Sequence, residues 1–403
     1  MPRIFQVSVP SLRVTLSSIF RKQGFNSTDA LYLAGTLIDA DQRGISSHGT
    51  QRMAMYDAKI RHRIIDPHAR PGIVRSKGAS LLIDGHAAMG QLAMREATNL
   101  AIGLAQSHGL GLVTVRNSNH FGTAGQYARK AADSGFIGVV STNSNPIVAP
   151  THTAVPALGS NPIAVAAGYG SDQLDFDAAT STVSLGKVEV HEKTQSLIDA
   201  DWAVDAHGDV EHDPVAIMNA IRSKPRRAAL TPLGGPGENG GGYKGYGLGL
   251  AVELLTGLLG DAPASIDLNG TRISHSILVI SPEAYGGSDA LAARVSQLAK
   301  RLRSLPSSDG HPVLFPGDKE RAALAQHHDT VPIDEVTYKQ VRDIAWGLDI
   351  DEPQIVRIDD GDSASATGSE NTDDTPHETT TNIGETTSTT AHADTPVIAQ
   401  TSR

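Results

Sequence analysis

The sequence predicts an α/β or α+β protein, with a helical N-terminal segment, a body of alternating strands and helices, and a disordered acidic tail. Three observations carry this reading. The first 65 or so residues have apolar residues at helical spacing. From about residue 81 to 280, short apolar runs of strand type alternate with amphipathic stretches. Beyond residue 358 the chain is Thr, Ser, Asp, Glu, Gly and Ala, too polar to offset its ordering entropy.

The elements follow in order. Residues 9–20 read as a helix, and Asn26-Ser27-Thr28-Asp29 is a capping run for a second helix through Ala40. A third begins at Ser46 or Ser47 and passes Tyr56. Leu81 to Asp84 is a short strand ended by Gly85. Residues 92–108 form a strongly amphipathic helix, with Gly109 as its stop. The strand 112–115 leads to a helix at 122–134, closed by Gly135, and further strands are expected at 136–141, 163–167 and 174–176. The polar, acidic stretch 199–214 reads as a surface loop, and 246–259 as a buried helix. The strand 273–280 precedes an amphipathic helix with Leu291, Val295, Leu298, Leu302 and Leu305 at spacings of four, three, four and three. Two last helices lie near 318–327 and 334–347.

Composition bounds the function. The chain has 403 residues, enough for roughly two or three domains. It contains no cysteine, which excludes disulfides, thiolate metal sites, iron–sulfur ligation and a cysteine nucleophile. The formal charge is −10, but residues 359–403 hold nine acids and one base, so the body carries only −2. A nearly neutral body has no field for nucleic acid and no polybasic patch for a membrane surface. Without a signal-like or spanning apolar run, a soluble, cytoplasmic protein is the expectation.

Four motifs stand out. The glycine cluster 234–247 contains a formal G-x-G-x-x-G at 235, 237 and 240, with Asp261 downstream. Pro232 interrupts its lead-in, Pro236 lies inside it, and Asp261 follows a helix, so it fails as a Rossmann fingerprint. Glycine-rich backbone running into a helix, with Lys244 beside it, still suits a nucleotide phosphate, and a flexible loop fits equally. His48, Arg52 and Tyr56 are spaced four apart and share one face of a helix. Imidazole, guanidinium and phenol together suit a small carboxylate substrate; a solvated polar face has the same pattern. Arg116-Asn117-Ser118-Asn119-His120-Phe121-Gly122 follows a strand, and His120 is a candidate general base there, or a structural histidine in a capping run. Thr142-Asn143-Ser144-Asn145, Gly159 to Pro162, and Asp177-Ala178-Ala179-Thr180-Ser181 are strand ends loaded with small hydrogen-bonding groups.

Taken together and in order, these motifs resemble the type-2 malate/L-lactate dehydrogenase family, which also includes ureidoglycolate, sulfolactate and cyclic-imine 2-carboxylate oxidoreductases. Arg43-Gly44 with Ser47-His48-Gly49, the Asn-Ser-Asn-His-Phe-Gly segment at 117–122, Gly-Tyr-Lys-Gly-Tyr-Gly at 242–247 and Phe315-Pro316-Gly317 carry it, over about 280 residues. The resemblance implies an α+β fold: a non-Rossmann mixed, largely antiparallel sheet with helices, and a helical lobe from both chain ends. The corresponding domains are 1–75 completed by about 318–350, a cofactor-binding sheet domain at 76–317, and the tail 359–403. It also implies a homodimer and an NAD- or NADP-dependent enzyme moving hydride between nicotinamide and a small 2-hydroxy or 2-oxo acid. By position, His120 is its catalytic base, Arg52 its carboxylate contact, and His48 and Tyr56 line the same pocket. Asn143, Ser144, Asp177, Ala178, Ala179, Thr180 and Lys244 fall on its cofactor contacts. Asp177 would orient His120 or hold the ribose. No metal is implied, and no His/carboxylate spacing favours a metal-dependent hydrolase. Reduction of a cyclic imine 2-carboxylate, ureidoglycolate or sulfolactate oxidation, and non-catalytic nucleotide binding are the competing readings. Ser144-Asn145 is a more polar pair than the family pattern, which touches substrate identity.

Overall fold

A computed structural model describes residues 3–359. It opens with β1 (Ile4–Ser8), α1 (Val9–Lys22) and α2 (Ser27–Gln42). Asn26 caps α2 by accepting the Asp29 N–H at 2.9 Å, as the capping run predicts. The expected third helix is broken. Two single 3₁₀ turns, Ser46–His48 and Thr50–Arg52, are divided at Gly49, and only then does α3 (Met53–Arg61) begin.

Next come β2 (Gly72–Lys77), β3 (Ser80–Asp84), α4 (Gly90–His108), β4 (Leu110–Ser118), α5 (Gly125–Asp133), β5 (Ile137–Thr142), β6 (Ile163–Ala167) and β7 (Leu174–Ala178). Gly109 ends α4 at a φ of +82°, a left-handed position that glycine adopts without strain. After α6 (Leu185–Thr194) the expected surface loop contains a strand, β8 (Ala203–Asp205). Ala203 and Val204 are buried, and β8 pairs with β9 (Ala228–Leu230) beyond α7 (Pro214–Arg222). The short apolar pair was masked by its acidic flanks.

The chain continues through α8 (Gly242–Glu253), extended by a π-helical turn at Leu254–Leu258, then β10 (Ile273–Ile280), α9 (Ser288–Arg303), α10 (Asp318–Gln326), β11 (Thr330–Asp334), α11 (Glu335–Trp346) and β12 (Ile355–Asp359). The segment expected as one buried helix is buried along one face only, through Gly245, Gly249, Val252, Glu253, Thr256 and Gly257, while Leu248, Leu250, Leu254, Leu255, Leu258 and Leu259 are exposed. In α9 only Ala299 is buried, although its apolar spacing suits a covered face. The predicted tail lies outside the described residues except for Asp359, which belongs to a strand.

Seven strands form one sheet in the order β2-β3-β4-β10-β5-β6-β7. Only β3 and β4 run parallel; every other neighbour pair is antiparallel. The sheet is therefore mixed and largely antiparallel, as the resemblance implies. Alanines 93, 97, 101 and 105 of α4 and 128, 131 and 132 of α5 pack on Val113, Val115, Val140, Ile277 and Val279. Small side chains let both helices approach the sheet closely, which agrees with a chain 4% aromatic.

A second core joins the two chain ends. Leu12, Leu16, Ile19, Leu33, Leu37, Met53 and Tyr56 pack with Val331, Ile333, Tyr338, Val341 and Ala345. The expected helices are present, with a three-stranded antiparallel sheet among them in which β1 lies between β11 and β12. These strands are only five residues each and abut helices, so helical periodicity hid them.

Candidate active site

The site is built where β4 leaves the sheet. Asn119, buried just past that strand, donates through Nδ2 to the carbonyls of Ile64, Ala87 and Ala88, fixing the loop that carries His120. The first residue of α4, Gly90, packs against the Asn119 and His120 carbonyl groups, where a Cβ would have no room. His275 on β10 braces the loop from the other side. One ring nitrogen meets Ser118 Oγ at 2.9 Å and the Asn119 carbonyl at 3.1 Å, and the other meets Thr142 Oγ1 at 2.8 Å. Its ring stacks on Phe121 at 4.5 Å between centroids. Burial holds its pKa down to about 3, so it serves as a neutral hydrogen-bonding brace.

The opposing wall comes from the broken helix. Asp41 accepts from Thr50 N at 2.8 Å and from Thr50 Oγ1, which ties the second 3₁₀ turn to α2. Burial pushes this carboxyl up to about 7. Gly49 lies directly against it, with no space for a side chain. His48, Arg52 and Tyr56 thus do not share one helix face, yet the turns still bring them together. His48 stacks on His120, with centroids 5.4 Å apart and ring planes within 20°. Tyr56 Oη lies 2.6 Å from His120 Nδ1, and Gln91 Nε2 of α4 donates to the same phenol at 2.9 Å.

Arg52 is engaged differently from the expectation of a free carboxylate grip. Its Nε donates to the Ser47 carbonyl and its Nη2 pairs with Glu189 of α6 at 3.0 Å. Gln51 donates to that same Glu189 oxygen at 2.9 Å. Nη1 has no partner among the described residues. Burial, together with the positive charge of Arg52, holds His48 down to about 3. His120 is pushed well below the usual histidine range, chiefly by burial and then by His48, Arg52, Lys59 and His275. Both imidazoles are neutral at working pH, beside a guanidinium and the partly desolvated Lys59.

The remaining sequence candidates lie on other strand ends. Asn143 is fully buried. Its amide donates to Glu253 Oε2 at 3.3 Å and the Pro263 carbonyl at 3.2 Å, and its oxygen accepts the Ser274 N–H at 2.9 Å. That side chain is enclosed by protein partners and orders a loop. Ser144 Oγ accepts from Ser160 N at 3.1 Å, and Thr180 N and Oγ1 both donate to the Ser160 carbonyl. Leu233 N donates to the Thr180 carbonyl at 2.9 Å. Asp177, at the end of β7 with Ala178, accepts the Gly125 N–H at 2.7 Å at the start of α5, and Ala179 follows it in the loop. Asp177 therefore caps a helix and is not the partner of His120. Lys244 is exposed in the first turn of α8, with no acidic partner among the described residues. A cation at a helix N-terminus opposes the backbone dipole, so it is best satisfied by an anion bound at that end.

The malate/L-lactate dehydrogenase family profile matches residues 7–342. The chain belongs to this family. A malate dehydrogenase of Pyrococcus abyssi is 38% identical over 291 residues, covering 71% of this chain and 78% of the relative. An L-sulfolactate dehydrogenase of Methanocaldococcus jannaschii is 31% identical over 343 residues, covering 83% and 95%. The crystal structure of a malate dehydrogenase from Entamoeba histolytica superposes with a TM-score of 0.83 at 28% identity, covering 86% of this chain and 99% of that one.

In this member of the malate/L-lactate dehydrogenase family the glycine cluster is no Rossmann loop. Its lead-in strand, β9, belongs to a separate two-stranded sheet, and Gly234 and Gly235 turn at φ of +100° and +91° well before α8 starts. Four site residues escaped the sequence reading: Gln91, Glu189, Lys59 and His275. His275 had a signal, since Ser-His-Ser interrupts an otherwise apolar strand. Gln91 had a weaker one, as a polar residue opening a helix that is buried along one face. Glu189 and Lys59 look like ordinary charges on helical faces.

Proposed function

We propose that this oxidoreductase is an NAD- or NADP-dependent dehydrogenase interconverting a small 2-hydroxy acid, of malate or lactate type, and its 2-oxo acid. One observation carries the reading: a neutral, desolvated His120 held by Tyr56 and stacked on His48 beside the Arg52 guanidinium. Oxidising a hydroxy acid needs a base for the hydroxyl proton, a cation for the carboxylate and a water-poor cleft. His120 takes the proton. Nη1 of Arg52 orients the carboxylate, and His48 and Tyr56 line the pocket. The carboxylate also tunes the base: burial is the main force that holds His120 neutral, and the substrate's negative charge offsets the Arg52 and Lys59 fields that add to it, so His120 becomes more basic once substrate is bound.

The nicotinamide cofactor supplies the hydride acceptor. The residues present fit it: Lys244 and the N-terminus of α8 for phosphate, and Ser144, Ala178, Ala179 and Thr180 on loops knitted through Ser160. Gly159 packs directly against Ser144, where a Cβ would collide with its Oγ and backbone nitrogen, so glycine lets the two loops meet. Asn143 and Asp177 contribute by shaping those loops. The lobe of 1–75 with 318–350, the cofactor domain of 76–317 and a cytoplasmic location belong to the same reading. A panel of 2-oxo acids, each with NADH and NADPH and read at the nicotinamide absorbance, tests it. No turnover with any of them sinks it.

Arg52→Ala is expected to cost at least about 2 kcal/mol in kcat/KM, because a desolvated charge loses its partner. Arg52→Lys suffers too, since an ammonium cannot hold both Glu189 and substrate in a planar fork. Weakened NADH binding with intact kcat/KM would move Arg52 to the cofactor site.

A homodimer is part of this proposal. Support comes from the leucine row of α8 and its π-helical turn, with Leu254 61% and Leu258 56% exposed. Contiguous apolar surface of this kind favours a protein interface. Light scattering is expected to give about twice 42.3 kDa for the chain, and Leu254→Glu is expected to yield inactive monomer. Full turnover by a monomer overturns the dimer as the active form.

A further inference from the structure

We propose that Gln91, acting through Tyr56, sets which ring nitrogen of His120 carries the proton. The proposal deepens the assignment of His120 as proton acceptor and rests on it for its kinetic part. With the Gln91 amide in the orientation observed, the chain of hydrogen bonds leaves one solution. Gln91 Nε2 donates to Tyr56 Oη at 2.9 Å, so the phenol must send its own proton elsewhere. Its neighbour at 2.6 Å is His120 Nδ1. The Gly122 N–H also points at Nδ1, at 3.4 Å. Two donors aimed at one nitrogen make it an acceptor, and neutral His120 then carries its proton on Nε2. Nε2 has no partner among the described residues.

This tautomer offers a donor to the carbonyl oxygen of a 2-oxo acid. It has no lone pair for the hydroxyl proton of a 2-hydroxy acid. Accepting that proton requires the opposite pattern, with Nδ1–H donating to Tyr56 and Tyr56 donating onward. The atom that can receive it is Oε1 of Gln91. Gln91 is fully buried, and its Oε1 has no hydrogen-bond partner. A half-turn of the amide places Oε1 against the phenol and turns the whole chain around. Nε2 of His120 then takes the hydroxyl proton as the hydride leaves carbon 2 for nicotinamide, and the resulting imidazolium keeps the Nδ1–H bond to Tyr56. Gln91 is thus a positioning residue whose amide orientation selects between a state matched to the oxo acid and one matched to the hydroxy acid. Tyr56 transmits it. The other charged or titratable groups facing His120 are His48, Arg52, Lys59 and His275, and none of them makes a hydrogen bond to Nδ1.

The test is nitrogen NMR on histidine-labelled protein, with the His120 signals identified by their loss in His120→Asn. The unaltered protein is expected to show Nε2 protonated and Nδ1 bare. At pH 9 Gln91→Glu presents an acceptor-only carboxylate to Tyr56 and is expected to reverse the assignment, while Tyr56→Phe retains it through Gly122. In Gln91→Glu the acid limb of kcat/KM for hydroxy-acid oxidation is expected to move up by about one pH unit or more, because the carboxylate stabilises the imidazolium. A protonated Nδ1 in the unaltered protein overturns the proposal, whether or not any variant folds, as does an unchanged tautomer in Gln91→Glu. If the tautomers behave as stated but no 2-oxo acid is turned over, the proposed reaction fails and the role of Gln91 stands.

Discussion

His120→Asn is expected to lower turnover by roughly two to four powers of ten, the usual contribution of a positioned acid or base. The amide can take the place of Nδ1 opposite Tyr56, so the wall of the site keeps its shape. What disappears is the group proposed to exchange a proton with substrate. Cofactor affinity is expected to persist, because the proposed cofactor contacts Lys244, Ser144 and Thr180 lie on other segments of the chain. Steady-state kinetics beside a fluorescence titration with NADH separates the two. Full turnover in this variant removes His120 from the chemistry, and lost NADH binding relocates it to the nucleotide.

Gly90→Ala is expected to be as damaging without touching substrate. A methyl on that residue collides with the backbone carbonyls of Asn119 and His120, not with a side chain that could swing away. Either α4 backs off its alanine-packed face or the loop shifts. The cost is expected to be about 3 kcal/mol of stability. A shift of about 1 Å in His120 would cost a further hundredfold in turnover. Thermal denaturation and kcat on the surviving folded protein measure both. An unchanged melting temperature with full activity would show that the loop has slack the packing does not suggest.

The helices of this chain were legible because their apolar spacing and caps are local: Asn26 and Gly109 do what their positions predict. The strands joining the chain ends were not, because β1 is defined by partners more than 320 residues away. The same distinction holds for the site. His48, Arg52, Tyr56 and His120 could be singled out as side chains able to do chemistry, though the helix drawn through three of them was wrong. Gly49 pressed against Asp41 breaks it, and nothing in the spacing of 48, 52 and 56 reveals that. Glu189 and Gln91 were invisible for a related reason. Each matters only through a partner on a distant segment, Arg52 in one case and Tyr56 in the other. Asn143 shows the converse: its motif placed it at a strand end, while burial gave its amide to Glu253 and Ser274.

The position of β1 between β11 and β12 sets an order on synthesis. β1 is synthesised before both its neighbours, which are encoded after residue 329, and the core it closes needs Val331, Ile333 and Tyr338. A nascent chain can assemble the large sheet while α1, α2 and the turns bearing His48 and Arg52 still lack their C-terminal support. Contacts this remote in sequence form late and slowly. Chains halted before residue 330 would therefore hold the segment bearing His120 while the wall that carries Tyr56 and Arg52 still lacks the strands and helix that brace it.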